Sequence, residues 1–344
     1  MSGSFAEAVR AHLLLHGPMP FARYFERANA HYYARTDPFG GDFATSPELS
    51  QAFGECLGLW SCDLWDVCGR SEVALVELGP GRGVLMADSL RAAAKIGWRP
   101  EVHLVETSPR LRGEQARRVP GAVWHDSVAT LPADRPLIVL ANEFFDALPI
   151  ERWVRTATGW AEQHVGCDPD GALALIDLPA APPPGLPDDA PPGAIVELRP
   201  QAERIVRELA WRLARRGGAM LVVDYGAEGA IGDTLQAMRG GEPVPVFADP
   251  GESDLTAHVD FAALKQAALD AGCAVHGPIP QGTLLAAVGL HERTAALARA
   301  NPAHAARLQA AALRLTGAQH MGALFKAVVM TGRGWPDPAG FPKP

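Results

Sequence analysis

Apolar positions change their period along this chain, and the period separates helix from strand. From Ser4 to Leu15 they recur at about 3.6-residue spacing, and Pro18 and Pro20 then break the pattern, so a helix is expected there. Phe21 to Tyr33 is a second amphipathic stretch, rich in aromatics. The segment from Thr36 to Pro47 has no period and is expected to be an irregular loop. Ser46, Pro47 and Glu48 supply a cap, a first-turn proline and an acid facing the positive end of the dipole, which predicts a helix to about Val67. After residue 70 the pattern switches to short apolar runs alternating with amphipathic ones. Strands are expected at Val73 to Leu78, Val102 to Val105, Ala122 to Trp124 and Leu137 to Leu140, with helices at Val84 to Ile96 and Pro109 to Arg118. That alternation argues for an α/β fold: a mostly parallel sheet with helices on both faces.

The rhythm lapses over 151–178, which reads as hairpin strands, and the proline-rich stretch 179–193 fits neither helix nor central strand. A long helix from Gln201 to Arg215 and a buried strand from Ala219 to Asp224 follow. Residues 226–259 look irregular, helices are expected at 260–271 and about 290–315, and Leu324 to Met330 makes a last strand. No internal repeat is evident. The predicted organisation is a helical N-terminal extension, 1–70, and a second domain, 71–344, with insertions at about 151–193 and 226–318.

Charge and composition narrow the function classes. The 344 residues carry 31 basic and 39 acidic side chains, a net charge of −8, which argues against a general nucleic-acid coat. No uncharged apolar run of about 18 residues occurs, so no membrane insertion is expected. The N-terminal stretch, with Glu7, Arg10 and His12 around Leu13 to Leu15, reads as neither a secretory signal nor a transit peptide. Five cysteines, Cys56, Cys62, Cys68, Cys167 and Cys273, fit neither a zinc pattern nor a disulfide frame and are expected as reduced thiols in a cytosolic protein. No His, Cys or acid spacing suggests a metal site.

The chemistry concentrates where the first strand turns into a helix, at Val76-Glu77-Leu78-Gly79-Pro80-Gly81-Arg82-Gly83-Val84. Gly79, Gly81 and Gly83 allow a tight turn and let backbone N–H groups approach a ligand. A dinucleotide fingerprint needs glycine or alanine where Val84 stands, so an NAD-dependent dehydrogenase is disfavoured. Glu77, before the first glycine, would repel a pyrophosphate and favour a ligand carrying an ammonium and a sulfonium. Glu106 closes the second strand, where an acid grips both hydroxyls of an adenosine ribose. Trp124-His125-Asp126 follow the third strand. An acid at Asp126 accepts from an adenine amino group while a backbone N–H there reads a ring nitrogen, which makes His125 and Asp126 the adenine candidates.

At these residues the sequence resembles the MidA-like class I S-adenosylmethionine-dependent methyltransferases, a family that includes the mitochondrial assembly factor for respiratory complex I. The resemblance covers nearly the whole chain. It rests on Pro38-Phe39-Gly40-Gly41-Asp42-Phe43-Ala44-Thr45-Ser46-Pro47-Glu48, on Phe53-Gly54-Glu55, on the glycine segment, and on Ala141-Asn142-Glu143-Phe144-Phe145-Asp146-Ala147-Leu148-Pro149. Val223-Asp224-Tyr225-Gly226, Thr256-Ala257-His258-Val259-Asp260-Phe261 and Met321-Gly322-Ala323-Leu324-Phe325-Lys326 complete it. It implies a Rossmann-like class I methyltransferase core with its last strand antiparallel, S-adenosyl-L-methionine as cofactor, and methylation of an arginine on a complex I subunit. With no presequence evident, a bacterial cytosol is expected.

A methyl acceptor would sit beside the end of the fourth strand, where Asn142, Glu143 and Asp146 lie; Asn142 borders the cofactor as well. If this segment turns helically, Glu143 and Asp146 share a face and offer two carboxylates to one guanidinium. Asp42, Glu48 and Asp224 with Tyr225 are further candidates, and His258 is a candidate base. Arg82 is expected either to make a local salt bridge or to reach the cofactor's carboxylate. Two other readings stand beside a protein methyltransferase: a small-molecule methyltransferase, and an assembly chaperone that binds S-adenosylmethionine without turnover.

Overall fold

The computed structural model of the chain describes residues 4–35, 45–229 and 231–342. Two compact units emerge. The larger is Ala44–Phe145, Arg204–Ala227 and Phe261–Pro344; the smaller is Met1–Phe43, Asp146–Glu203 and Glu228–Asp260.

Among its described residues the larger unit holds seven strands: β1 (Ala74–Leu78), β2 (Glu101–Val105), β3 (Val123–His125), β4 (Leu137–Asn142), β5 (Gly218–Ala227), β6 (Ala274–Pro280) and β7 (Phe325–Thr331). Their spatial order is β3-β2-β1-β4-β5-β7-β6. The first five run parallel, and β7 pairs antiparallel with both β5 and β6. This is the expected Rossmann-like class I arrangement. The strand order reverses between β1 and β4, and in such sheets ligands bind outside the carboxyl ends of the strands at that point. Leu75, Leu104, Leu140 and Leu221 from the sheet share one apolar cluster with Phe53, Leu57, Trp60 and Leu64 from the helix α1 (Gln51–Val67).

Helix α1 packs on α2 (Val84–Ile96) with unusually close backbones. A Cβ at Gly54 would lie 2.6 Å from Asp88 Cβ, and one at Gly58 would lie 2.5 Å from Ser89 Cα. The Ser89 hydroxyl donates to the Gly54 carbonyl at 2.9 Å, so the approach is hydrogen-bonded as well as packed. This is the physical content of the Phe53-Gly54-Glu55 block. Glu55 beside it is buried and paired with Arg293 and Arg91.

The smaller unit is an antiparallel sheet of Glu151–Arg155, Trp160–Cys167, Leu173–Pro179 and Ile195–Leu198, with Met19–Pro20 added at one edge. The helices Phe5–His16 and Phe21–Arg35 bury Phe5, Phe21, Tyr24 and Phe25 in one cluster with Ile150, Val165 and Leu255.

Several expectations are corrected here. Residue 70 is not a boundary: the first two helices pack within the smaller unit, whereas α1 covers the large sheet. Nor is 226–318 one insertion, since its part up to Asp260 belongs to the smaller unit and the rest to the larger. The helix expected from Ser46 to Val67 is two, Ser46–Leu49 and Gln51–Val67. Ser50 stands extended between them (φ −154°), and its side chain caps the second by accepting from the Ala52 amide. The stretch 226–259 contains the strands Gln236–Arg239, Glu242–Pro243 and Asp254–Thr256. β6 was unexpected because Gly277 and Pro278 interrupt it. It lies at the sheet's edge, where a register shift between His276 and Ile279 absorbs them. The region expected as one helix from about 290 to 315 is broken at Asn301 into Leu290–Ala300 and Ala305–Thr316.

Candidate active site

The glycine segment turns as its composition requires. Gly79, Gly81 and Gly83 have φ of 59°, 51° and 80°, the left-handed region that side chains disfavour. At Gly79 a Cβ would also lie 2.7 Å from Phe144 Cδ2, so an aromatic ring from the loop after β4 closes over the turn. Gly83 forms the N-cap of α2. Arg82 takes the local option: its guanidinium makes two bonds to Glu48, Nε to Oε1 at 2.9 Å and Nη2 to Oε2 at 2.6 Å. The Thr45-Ser46-Pro47-Glu48 block and the glycine segment are thereby tied together.

Glu77, on β1, is buried beneath this turn. Burial pushes its carboxyl up to about 8, against the Met86 amide, which donates to it, and with the nearby charge of Glu106 adding to the rise. Its Oε2 has no hydrogen-bond partner among the described residues. Glu106 follows β2. Burial raises its carboxyl too, opposed by bonds from the Ser108 amide (2.8 Å to Oε1), Gln115 (3.2 Å to Oε2) and the Thr107 amide. The acid is therefore braced by the start of the next helix, α3 (Pro109–Arg118).

The two adenine candidates behave differently. Asp126 is exposed and paired with Arg112 at 2.6 Å; the same guanidinium donates to the Glu106 carbonyl through Nε at 2.7 Å. His125 is buried with both ring nitrogens engaged, Nε2 with His103 Nδ1 at 2.9 Å and Nδ1 with Thr130 Oγ1 at 2.8 Å. Burial lowers the pKa of both histidines, opposed at His103 by the neighbouring Glu101 carboxylate. The contact His125 makes toward the other site residues is through its backbone: its carbonyl accepts from the Glu106 amide at 3.0 Å.

At the end of β4, Asn142 is buried. Its Nδ2 donates to Glu143 Oε1 at 3.0 Å, and its Oδ1 has no partner among the described residues. Glu143 has φ +50°, a left-handed backbone in a non-glycine residue, a conformation that costs of order 1 kcal/mol and clusters at functional sites. The turn is held because the Glu143 amide donates to the Val223 carbonyl at 2.9 Å and Glu143 Oε1 accepts from the Ser46 amide at 2.8 Å. Burial raises the Glu143 carboxyl above its ordinary value, partly offset by these Ser46 and Asn142 bonds. This backbone is not helical, so the expectation that Glu143 and Asp146 share a helical face is corrected. Asp224, at the end of β5, accepts from the Phe145 amide at 3.0 Å and the Tyr225 amide at 2.9 Å, and so shapes the loop after β4.

Asp146 falls in the smaller unit. There its carbonyl accepts from the Ala257 amide (3.1 Å) and from Arg199 (3.3 Å). His258 is in that unit as well; burial lowers its pKa, and its amide donates to Thr234 Oγ1 at 2.9 Å. Asp42 lies outside the described residues.

Two residues were missed by sequence reasoning. Gln115 is wholly buried in the otherwise polar helix α3, with no motif to mark it. Arg199 follows a strand of the smaller unit and spends its guanidinium on four backbone carbonyls, those of Leu148, His258, Asp146 and Ala257. Neither a charge run nor a spacing announces either role.

The residues fit S-adenosylmethionine. Buried acceptors without partners among the described residues stand on β1 and β4, at the strand-order reversal, and suit a ligand rich in N–H donors and positive charge. Fold and site together define a class I S-adenosylmethionine-dependent methyltransferase. Residues 56–279 match the family model described as "Putative S-adenosyl-L-methionine-dependent methyltransferase", and the chain belongs to that family. It is 36% identical to the mitochondrial protein arginine methyltransferase NDUFAF7 of Danio rerio, over 87% of this chain and 81% of that protein. It is likewise 36% identical to NDUFAF7 of Homo sapiens, over 80% of this chain and 71% of that one. A crystal structure of a Burkholderia thailandensis superfamily member bound to S-adenosyl-homocysteine superposes with a TM-score of 0.83 at 29% identity. It covers 97% of this chain and 93% of that one.

Proposed function

We propose that this chain methylates a protein arginine, with Glu106 and the glycine segment holding the cofactor and Glu143 orienting the acceptor. The observation that carries the reading is the strained Glu143: a half-buried carboxylate at the mouth of β4, fixed by Ser46 and Asn142 in a chain whose relatives are named protein arginine methyltransferases. Bound S-adenosylmethionine supplies an electrophilic methyl group on a sulfonium. A guanidinium is always charged, so the chain's part is to orient one nitrogen in line and to stabilise positive charge. Glu143 keeps acceptor capacity beyond its two bonds and can take guanidinium N–H groups. Glu77 faces the cofactor's cationic end, and Asp126 with the backbone at His125 reads the adenine.

The family resemblance points to a respiratory complex I subunit as the protein substrate. The five free cysteines support a reducing compartment, the cytosol of a bacterium. Among the described residues no helix is long and apolar enough to cross a membrane.

The test is transfer of tritiated methyl from S-adenosylmethionine into lysate from a strain lacking the gene, followed by mass spectrometry of complex I subunits. Label on one arginine is expected. Tight S-adenosylhomocysteine binding with no labelled protein would overturn the reading in favour of a chaperone, and label confined to small molecules would place the acceptor elsewhere.

A further inference from the structure

We propose that Gln115 is a positioning residue of the cofactor site, whose carboxamide fixes the Glu106 carboxylate and the Gly81 peptide in the arrangement that receives the ribose diol. The proposal rests on the reading of Glu106 as the ribose acid.

The geometry is specific to an amide. Gln115 Oε1 accepts from the Trp124 indole N–H at 2.8 Å, while Nε2 donates to the Gly81 carbonyl at 2.7 Å and to Glu106 Oε2 at 3.2 Å. An indole N–H only donates, and a carbonyl and an ionised carboxylate only accept. The carboxamide therefore has one orientation, with two donors and one acceptor used. Rotating it by half a turn would mismatch all three bonds. These partners come from three places in the sheet: the turn after β1, the end of β2 and β3. They are the places where the glycine turn, the ribose acid and the adenine segment lie.

Packing points the same way. Leu111 and Gln115 are the buried residues of α3, four positions apart and hence on one face, where an apolar side chain would ordinarily sit. A buried carboxamide costs free energy unless its hydrogen bonds are made, so filling the space does not account for it. A Cβ at Gly83 would lie 3.4 Å from Gln115 Cγ, so the side chain runs directly beneath the glycine turn. Glu106 is thus held from both sides, Oε1 by the Ser108 amide and Oε2 by Gln115. Each carboxylate oxygen has a second acceptor position, and with the plane fixed these can serve two adjacent hydroxyls. Without Gln115 the carboxylate keeps only its bonds from the Ser108 and Thr107 amides, and the diol meets an acceptor that is less preorganised.

Calorimetric titration of the full chain with S-adenosylhomocysteine and its 2′-deoxy analogue tests this. In the unaltered protein the missing hydroxyl should cost about tenfold or more in affinity, the range for a hydrogen bond to a charged group. Gln115→Met should weaken S-adenosylhomocysteine by a similar factor and bring the two ligands close to equal affinity, an effect that general loosening would not produce. Gln115→Glu provides a second readout that holds even if the first variant fails to fold. At high pH it sets two carboxylates face to face, and its affinity should recover as pH falls and the pair shares a proton, whereas that of the unaltered protein should not rise. A Gln115→Met protein that keeps the full hydroxyl penalty, or a Gln115→Glu protein that follows the unaltered pH profile, overturns the positioning role. If Glu106→Ala also keeps the full penalty, the ribose assignment itself has failed; if Glu106→Ala loses it while Gln115→Met does not, only the role of Gln115 has.

Discussion

Glu77 is held by its surroundings in its uncharged state. With its carboxyl pushed up to about 8 by burial, it is largely protonated at neutral pH. A raised pKa in an acid means stability that is whole below the unfolded value and declines as pH rises through about 8. Glu77→Gln should therefore raise the melting temperature of the free protein at pH 8 by a few degrees and weaken binding of S-adenosylmethionine. A cationic ligand favours the ionised form, so binding at pH 7 should release a proton, visible as a calorimetric enthalpy that depends on the buffer's ionisation heat. No such dependence would mean that Glu77 does not face the positive end of the ligand. Burial raises the Glu143 carboxyl as well, and in the proposed function its charge serves the acceptor. Glu143→Gln retains an oxygen for Ser46 and Asn142 but removes the charge. Transfer should fall about 10²–10³-fold, with the dissociation constant for S-adenosylhomocysteine staying within a few fold. Equal transfer by both proteins would remove Glu143 from the acceptor site.

At the scale of elements, the Glu48–Arg82 pair ties the start of the Ser46–Leu49 helix to the turn between β1 and α2. Its side chains are 18% and 21% exposed, so screening keeps its share of global stability within about 1 kcal/mol. Its effect should be local. Arg82→Met should speed amide hydrogen exchange over residues 46–49 and weaken cofactor binding, and exchange rates that stay unchanged would show that the pair does not hold this segment. Elements of this kind were legible in the sequence to different degrees. The strands β1 to β5 and the helices α2 and α3 were readable, because buried parallel strands are continuous apolar runs and their helices carry a clear stripe. β6 was hidden by Gly277-Pro278, which denote a turn until the strand is seen to lie at an edge. The break at Ser50 was hidden because a serine inside an apolar-periodic stretch reads equally well as a helical residue and as a cap. Within the site, the glycines and Glu106 announced themselves by position after a strand. The left-handed backbone of Glu143 could not be read, since it is set by the Val223 carbonyl on a neighbouring strand and by Ser46, both remote in sequence. Gln115 and Arg199 were silent for the same reason: their partners are backbone groups or side chains that only the fold brings near.

The molecule as a whole is assembled from interleaved segments, and Arg199 shows how the smaller unit is kept in order. Its buried guanidinium joins residues 146–148 to residues 257–258 through four carbonyls. Arg199→Met leaves those carbonyls without their donors and should lower stability in urea by several kcal/mol, on the scale of a broken buried network. The loss should be accompanied by faster exchange at the Ala257 amide. A change below about 0.5 kcal/mol, the size of an ordinary surface substitution, would show the clamp to be dispensable. The larger unit has its own version of late closure, in the insertion of β7 between β5 and β6. A ribosome that has translated as far as His320 has delivered both outer neighbours but not the strand that belongs between them. The edge from Ala219 to Tyr225 then waits with its peptide groups unpaired and its apolar side chains in place, the template on which another nascent chain can pair. The interval before β7 emerges is thus the hazardous one, and a stop codon after His320 should yield pelleted aggregate in place of a shortened soluble protein.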